Sequence, residues 1–217
     1  MNSFLKKILI SFLILSSFAY SNPFKKYQHL KGEKLEYAKE NWIEIPQKYK
    51  AQGKTPDKCM LSKPDLIPDT QRGFECSACS MAFLMRWYGE EADGIKMFHA
   101  EDYPCKFELG AYPKVFKTYL EPKGYKVKYY TGTLNDIKNC LSKGNPVIVL
   151  LIYPKNILHY APVVGYDEKF IYLQDSVPKF RTNNEKEYNE RRTYSEFLKL
   201  WNVPLDYSKH LFITVEK

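Results

Sequence analysis

The thirteen residues from Cys76 to Tyr88 contain a single charged side chain, Arg86, and constrain the fold more than any other segment. A helix of this composition is apolar on most of its circumference, so the segment is predicted to be a buried helix. The preceding residues, Gln71-Arg-Gly-Phe-Glu75, show no clear periodicity. Cys76 therefore stands at the first turn of the predicted helix, where a helix N-terminus favours the thiolate form of cysteine.

The first 21 residues have the features of an export signal. Lys6 and Lys7 precede a run of apolar residues and serines from Ile8 to Ala19, and Ala19-Tyr20-Ser21 places small residues before a cleavage point. The run is shorter than the roughly 20 apolar residues of a membrane-spanning helix. We expect residues 1–21 to be a signal peptide cleaved after Ser21, a secreted or periplasmic mature protein, and no stable membrane insertion after cleavage. An uncleaved anchor is the alternative.

The remainder is predicted to be one domain preceded by an extension. Residues 22–70 contain a predicted short helix over Glu33 to Trp42 and then a loop rich in Pro, Lys and Asp, which we expect to wrap around the domain formed by residues 71–217. The net charge is +8, but the basic residues are interspersed with acidic ones. Such interspersed charge is typical of a solvated surface, so no nucleic-acid partner is predicted.

After Tyr88 the sequence pattern predicts helices first and strands later. The predicted helices cover Tyr112–Leu120, the residues after the N-cap Thr133 as far as Leu141, and Thr193–Trp201. The predicted strands cover Tyr125–Tyr130, Pro146–Tyr153, His159–Tyr166, Lys169–Gln174 and His210–Val215, with the third and fourth forming a hairpin. This order indicates an α+β fold in which a helical half faces an antiparallel sheet.

Three other residues are placed where they would assist Cys76. His159 enters one predicted strand and Asp175 leaves the next, so hairpin pairing would bring the carboxylate to the far ring nitrogen of the histidine. A neighbouring imidazolium lowers the pKa of a cysteine from about 8.5 to between about 3.5 and 7.5. Gln71, five residues before Cys76, offers a side-chain amide to an oxyanion, together with the Cys76 N–H. The order Gln, Cys, His, Asp is that of a papain-like cysteine hydrolase.

Several of these segments also resemble a known family. Glu75-Cys76-Ser77-Ala78-Cys79-Ser80-Met-Ala-Phe-Leu-Met-Arg-Trp-Tyr88-Gly89 resembles the Asp-Cys-Gly-Pro-Ala-Ser-Leu-Ala-Met…Tyr-Tyr-Gly signature of the bacteriocin-processing (double-glycine leader) peptidases and their stand-alone relatives. The second half of that family is similar to Lys143-Gly-Asn-Pro-Val-Ile-Val149, His159-Tyr-Ala-Pro-Val-Val-Gly-Tyr166, Tyr172-Leu-Gln-Asp175 and Phe197-Leu-Lys-Leu-Trp201. The resemblance extends from Gln71 to the C-terminus.

The resemblance implies a papain-like peptidase fold with Cys76 as nucleophile, His159 as base and acid, Asp175 as its orienting partner and Gln71 as oxyanion donor. We expect a peptide or protein substrate, no metal or cofactor, and a monomer. Ser77 departs from the pattern, because the family has glycine there, and its side chain is expected to crowd the substrate backbone. The sequence contains no transporter segments, so the leader-peptide substrate is not expected to carry over.

Two other functional classes are compatible with parts of the sequence. Cys76-Ser-Ala-Cys79 is a Cys-x-x-Cys motif at a helix start, as in thiol–disulfide oxidoreductases. Those proteins place the motif after a buried strand, which Arg72-Gly-Phe-Glu75 is not, and this interpretation assigns no role to His159 or Asp175. The second class is a catalytically idle peptide-binding module on the same fold. Acyl transfer to an amine is a further alternative, since it proceeds through the same thioester as hydrolysis.

The cysteine count leaves the disulfides open. The five cysteines are an odd number, and a free Cys76 leaves Cys59, Cys79, Cys105 and Cys140 with three connectivities, or as unpaired thiols. A reversible Cys76–Cys79 disulfide that silences the enzyme is a hypothesis prompted by the motif. No metal-ligand spacing connects His29, His99 and His210, so no zinc site is predicted.

Overall fold

The structure is a computed structural model that describes residues 46–61, 63, 66–104, 106–107, 110–182, 187–204 and 208–217. The predicted signal peptide, the helix predicted over Glu33 to Trp42, and Cys105 lie outside the described residues. Within the described part of the chain, none of the helices is long and apolar enough to cross a membrane.

The described residues form five α-helices and ten short or medium strands. The helices are α1 (Cys76–Trp87), α2 (Gly94–His99), α3 (Val115–Leu120), α4 (Leu134–Ser142) and α5 (Tyr194–Trp201). The strands are β1 (Gln47–Lys48), β2 (Cys59–Met60), β3 (Lys106–Phe107), β4 (Gly110–Ala111), β5 (Lys126–Thr131), β6 (Val147–Tyr153), β7 (Ile157–Tyr166), β8 (Phe170–Leu173), β9 (Glu190–Thr193) and β10 (Leu211–Glu216). Single 3₁₀ turns occupy Glu121–Lys123, Pro154–Asn156 and Pro178–Phe180.

Eight of the described strands form one sheet in the order β1-β5-β10-β6-β7-β8-β9, with β2 paired to the end of β7. All pairs are antiparallel except β1 with β5. The last strand of the chain, β10, lies between β5 and β6, so the sheet is completed only when the C-terminal residues are in place. The α+β prediction is confirmed, and the sheet is mixed because β1 joins it in parallel.

Helices cover both faces of this sheet, which explains the continuous apolar run of β6. Ile148 and Leu150 lie in the hydrophobic cluster beneath α1 and α3, whereas Val149 and Leu151 lie in a second cluster beneath α4 and α5. Because successive residues of a strand point to opposite faces, both sets are buried. The second helical layer was not anticipated from the sequence.

The buried helix α1 begins at Cys76, as predicted. Its only charge is neutralised, since Arg86 pairs with Asp69 at 3.1 Å and also donates to the Ala92 carbonyl. Helix α2 packs closely against α1 at Gly94, where a Cβ would lie 2.5 Å from the Cys79 Cα. That contact is open only to glycine, and it fixes the position of the helix that carries Cys76.

Most other predicted elements are present with shifted ends. Helix α4 has Thr133 as its N-cap, and Asp136 completes a capping box. The helix predicted from Tyr112 begins only at Val115, after a turn closed by the Val115 N–H on the Tyr112 carbonyl. Strand β7 begins two residues before His159, so this histidine lies within the strand and not at its entry.

Candidate active site

The His159 ring and the Asp175 carboxylate meet at one edge of the sheet. His159 lies on β7, and Asp175 follows β8, the strand that pairs with β7. The His159 Nε2 lies 2.9 Å from the Asp175 Oδ2, and the two side chains are 2% and 0% exposed. Hairpin pairing therefore brings the predicted histidine and aspartate together, as the sequence indicated.

The position of Asp175 is set by several backbone contacts. Its Oδ1 accepts a hydrogen bond from the Val177 N–H at 2.6 Å. The Asn189 side chain makes two hydrogen bonds to the Asp175 main chain. Its Oδ1 accepts from the Asp175 N–H at 2.6 Å, and its Nδ2 donates to the Asp175 carbonyl at 2.8 Å. The aspartate is thus held by Asn189, the residue before β9, and by its own turn, independently of His159.

The charges of this pair follow from its burial and its contacts. Burial alone would disfavour an imidazolium, but the adjacent Asp175 carboxylate and a hydrogen bond with the Cys76 thiol outweigh it and raise the pKa of His159 to about 10. Burial alone would raise the pKa of Asp175, yet the attraction and hydrogen bond of His159 hold it below its ordinary value. At neutral pH the pair is therefore an imidazolium and a carboxylate.

Cys76 is the first residue of α1 and completes this chain of contacts. Its side chain is 9% exposed and lies close enough to the His159 ring to influence its pKa. Because Nε2 of that ring is taken by Asp175, Nδ1 is the nitrogen left to exchange a proton with the thiol. The thiol thus lies at the N-terminus of α1 and beside the His159 ring.

Gln71 is connected to the aspartate side of the site. Its backbone N–H donates to the Ser176 carbonyl at 3.0 Å, and the Ser176 hydroxyl donates to its Oε1 at 2.5 Å. Its Nε2 donates one hydrogen to the Gly73 carbonyl at 2.7 Å, which leaves the second amide hydrogen for another acceptor. The structure thus brings Gln71, Cys76, His159 and Asp175 into one connected region.

Glu75 shapes the loop in front of the nucleophile, a role that sequence reasoning missed. Its side chain is buried and accepts from the backbone N–H groups of Arg72 at 3.2 Å and Gly73 at 2.7 Å. Burial alone would raise the pKa of Glu75, but these bonds and a 3.2 Å contact with His99 hold it low. A carboxylate immediately before a helix was the available signal. His99, which had no context in the sequence, has one here.

The expectation that Ser77 crowds the substrate is wrong. Its side chain is fully buried, and its hydroxyl lies 2.9 Å from the hydroxyl of the buried Tyr103. Neighbouring residues of a helix point about 100° apart, so Ser77 faces the interior while Cys76 faces His159. The departure from glycine is therefore accommodated within the core.

Two aromatic rings pack against the His159 ring. Tyr153 and Phe180 stack with their ring centroids 3.8 Å apart, and each meets the His159 ring nearly edge-on. The Tyr153 hydroxyl donates to Glu190 at 3.1 Å, and this glutamate is completely buried. None of these three residues carries a sequence signal that points to the site, because each comes from a different part of the chain.

The four described cysteines, Cys59, Cys76, Cys79 and Cys140, are free thiols in the structure. Cys79 is only 2% exposed, and burial raises the pKa of its thiol far above the ordinary value. A buried, protonated partner is poorly suited to thiol–disulfide exchange, which requires a thiolate. Within the described residues, no group of three or more His, Cys, Asp or Glu side chains is arranged to hold a metal ion.

Comparison with known proteins gives the family. The model of the Peptidase_C39 like family matches residues 68–204. The peptidase domain of Streptococcus ComA, a bi-functional ABC transporter involved in a quorum sensing pathway, is 15% identical, with a TM-score of 0.53 over 69% of this chain and 97% of that domain. A putative C39-like peptidase from Bacillus anthracis is 14% identical, with a TM-score of 0.52 over 75% and 99% of the two chains.

A third solved structure, xylellain, a cysteine protease from Xylella fastidiosa, is 15% identical, with a TM-score of 0.50 over 82% of this chain and 96% of that one. A search of the curated proteins finds no significant match. The structural similarities establish the papain-like α+β fold, and the family match covers every residue of the site described above. The chain therefore belongs to the Peptidase_C39 like family and is a cysteine peptidase.

Proposed function

We propose that this protein is an exported peptidase that hydrolyses a peptide or amide bond with Cys76, His159 and Asp175 as its triad and Gln71 as an oxyanion donor. The observation that carries the proposal is the continuous contact from the Cys76 thiol through the His159 ring to Asp175 at 2.9 Å. A cysteine at a helix N-terminus, followed in series by a histidine and an aspartate, is an arrangement suited to nucleophilic catalysis.

The first half of the reaction forms a thioester. The Cys76 thiolate attacks the substrate carbonyl carbon, and the resulting oxyanion is held by the Cys76 N–H and the second amide hydrogen of Gln71. The His159 imidazolium gives its proton to the leaving amine, and the C–N bond breaks. Asp175 keeps the ring oriented throughout and stabilises its positive charge whenever the ring is protonated.

The second half of the reaction hydrolyses the thioester and releases the carboxylic acid product. Neutral His159 takes a proton from water, whose oxygen attacks the thioester carbonyl through a second oxyanion in the same place. The C–S bond breaks, and the Cys76 thiolate and the His159 imidazolium are restored. An amine in place of water would give acyl transfer through the same intermediate.

Export is proposed from residues 1–21 alone, with cleavage after Ser21. N-terminal sequencing of the protein recovered from the cell exterior or envelope tests this directly. A mature N-terminus at Asn22 supports export and cleavage, and recovery of the intact chain from the cytoplasm contradicts both.

The reactivity of Cys76 that the mechanism requires is tested by alkylating the mature protein with iodoacetamide across pH and mapping the labelled peptides. We expect Cys76 to react rapidly well below pH 8 and His159→Ala to remove that advantage. Cys59→Ala is the matched control, because it removes another free thiol while leaving the site intact. A Cys76 thiol that reacts no faster than Cys59, or that is found linked to Cys79, contradicts the proposed mechanism.

A further inference from the structure

A second buried carboxyl group, that of Glu190, lies close to Asp175. Glu190 is the first residue of β9 and pairs with Leu173, the last residue of β8, two positions before Asp175. Its side chain is completely buried, as is that of Asp175. Two buried carboxyl groups are therefore close together, and one of them is the hydrogen-bond partner of His159.

The contacts of Glu190 differ between its two oxygens. Oε1 accepts hydrogen bonds from the Tyr153 hydroxyl at 3.1 Å and from Arg192 Nε. Oε2 is buried and has no N–H or O–H donor among the described residues, and the carboxyl group of Asp175 is a close neighbour of this glutamate. Two ionised carboxylates buried next to each other would repel, whereas a proton on one of them would supply the donor that Oε2 lacks and allow a hydrogen bond between the two groups.

The surroundings decide which carboxyl group holds the proton. Asp175 faces the His159 imidazolium and accepts the Val177 N–H, both of which favour its anion. Glu190 faces Arg192, which is 24% exposed, and the neutral Tyr153. Burial first, and then the negative charge of Asp175, raise the pKa of Glu190 to about 8, although Arg192 acts in the opposite direction.

We propose that Glu190 is a positioning residue that remains neutral at physiological pH and donates its Oε2–H to Asp175. The Asp175 carboxylate then accepts three hydrogen bonds, from His159 Nε2, the Val177 N–H and Glu190. These bonds hold the Asp175 carboxylate in a single orientation and favour its ionised form. The carboxylate in turn holds the orientation of the His159 ring. The inference rests on the proposed catalytic role of His159 and Asp175.

The proposal implies a loss of function on the alkaline side. When Glu190 loses its proton, Asp175 loses a donor and gains a buried negative neighbour, so the two carboxylates repel each other. Among the described residues, the charged and titratable groups around the pair are His159 on β7, Tyr153 on β6, Arg192 on β9, and Arg181, whose side chain donates to the Asp175 main-chain carbonyl. Activity is therefore expected to fall near pH 8, before His159 itself titrates at about 10.

Glu190→Gln tests the proposal, because glutamine imitates the neutral acid. Its amide N–H replaces the donor to Asp175, and its oxygen still accepts from Tyr153 and Arg192. We expect kcat/KM at pH 7 to stay within about threefold of wild type, while the alkaline fall moves toward the range where His159 titrates. Glu168→Gln, which alters an exposed glutamate, is the matched control and should leave the profile unchanged.

The protonation state is read independently of turnover by infrared spectroscopy. The wild-type spectrum should contain the carbonyl band of a neutral carboxylic acid at pH 7, lost at high pH and absent from Glu190→Gln. Tyr153→Phe keeps the ring stack but removes a hydrogen bond to the Glu190 anion, so the band should persist to higher pH. This second variant keeps the test decisive if Glu190→Gln does not fold.

The outcomes separate this inference from the proposed function. Absence of the band, or a Glu190→Gln variant with the wild-type alkaline profile, overturns the role of Glu190 while the catalytic triad stands. A wild-type spectrum without the band, together with a large loss of activity in Glu190→Gln at pH 7, indicates that Glu190 is ionised. That result also overturns the proposed role of Glu190. Rapid alkylation of Cys76 that survives in His159→Ala would instead reject the triad itself.

Discussion

The Ser176 hydroxyl donates a 2.5 Å hydrogen bond to Gln71 Oε1, and the Ser176 carbonyl accepts the Gln71 N–H at 3.0 Å. Ser176 directly follows Asp175, and Gln71 belongs to the loop that leads into Cys76. These two bonds connect the segment that orients the histidine with the segment that offers the oxyanion donor. The proposed triad and the proposed oxyanion site are therefore held as one unit.

This connection predicts the effects of Gln71→Ala and Ser176→Ala. Loss of an oxyanion donor lowers kcat by about 10²- to 10³-fold, with a smaller change in KM, so Gln71→Ala should behave in this way. Ser176→Ala removes only the bond that orients the amide and should have a smaller effect in the same direction. Steady-state kinetics on a fluorogenic peptide measure both. A Gln71→Ala variant that raises KM alone would assign this residue to substrate binding.

Cys76→Ala should abolish hydrolysis, because no other described thiol contacts His159. Removal of a nucleophile in comparable triads lowers kcat by about 10⁶-fold, so the expected residual rate is below ordinary detection. The Cys59→Ala variant should retain wild-type activity in the same assay. Full activity in Cys76→Ala would reject the mechanism.

Asp175→Asn should lower the pKa of His159, because it removes the buried negative charge that favours the imidazolium. The thiolate of Cys76 then loses its counter-ion, and kcat should fall by up to about 10⁴-fold, as when other triads lose this carboxylate. The rate of Cys76 alkylation below pH 8 is the direct measurement. An unchanged alkylation profile would show that Asp175 does not set the charge of His159.

The free energy of unfolding should decrease as pH rises from about 6.5 to about 10. In the folded protein the pKa of His159 is about 10 against 6.5 ordinarily, so its contribution is complete below pH 6.5 and is lost as pH passes through 10. Glu190, raised from 4.5 to about 8, acts in the same direction over its own range. One extra bound proton gives a slope of at most about 1.4 kcal/mol per pH unit.

Urea unfolding at several pH values measures this slope. His159→Gln, which does not titrate, should flatten it above pH 8, where the Glu190 contribution has ended. At low pH the trend reverses for Asp175, whose lowered pKa means that its contribution is lost as pH falls through the folded value. A His159→Gln variant with the wild-type slope would contradict the assignment of an imidazolium to the folded state.

Ser77→Gly should restore the family residue without improving catalysis, because the Ser77 side chain points into the core. Glycine near a helix start loses about 1 kcal/mol of helix stability, and the buried Tyr103 hydroxyl loses its partner at a further cost of about 1–3 kcal/mol. We expect a lower Tm with kcat/KM unchanged. Ser77→Ala does not lower the helix propensity, so it should lose only the stability that comes from the Tyr103 hydrogen bond. A gain in kcat/KM for Ser77→Gly would restore the crowding hypothesis.

The elements of the fold were largely readable from the sequence because their signals are local. The apolar stretch from Cys76, the Thr133 cap and the hairpin of β7 and β8 each depend on residues within a few positions of one another. Spacing also placed His159 and Asp175 on paired strands, and that alone predicted their meeting. The sequence by itself therefore determined the class of the fold and the residues proposed for the triad.

Only the tertiary structure decided what surrounds those residues. Glu190 lies behind Asp175, Tyr153 and Phe180 enclose His159, and Ser77 turns toward Tyr103, although nothing in the local sequence distinguishes these side chains from others of their kind. Each contact joins segments brought together by sheet order and helix packing, and β10 enters the centre of that sheet from the end of the chain. The charges of the site depend on how deeply its side chains are buried and on their hydrogen-bond partners. Both arise from long-range packing and therefore have no local sequence pattern.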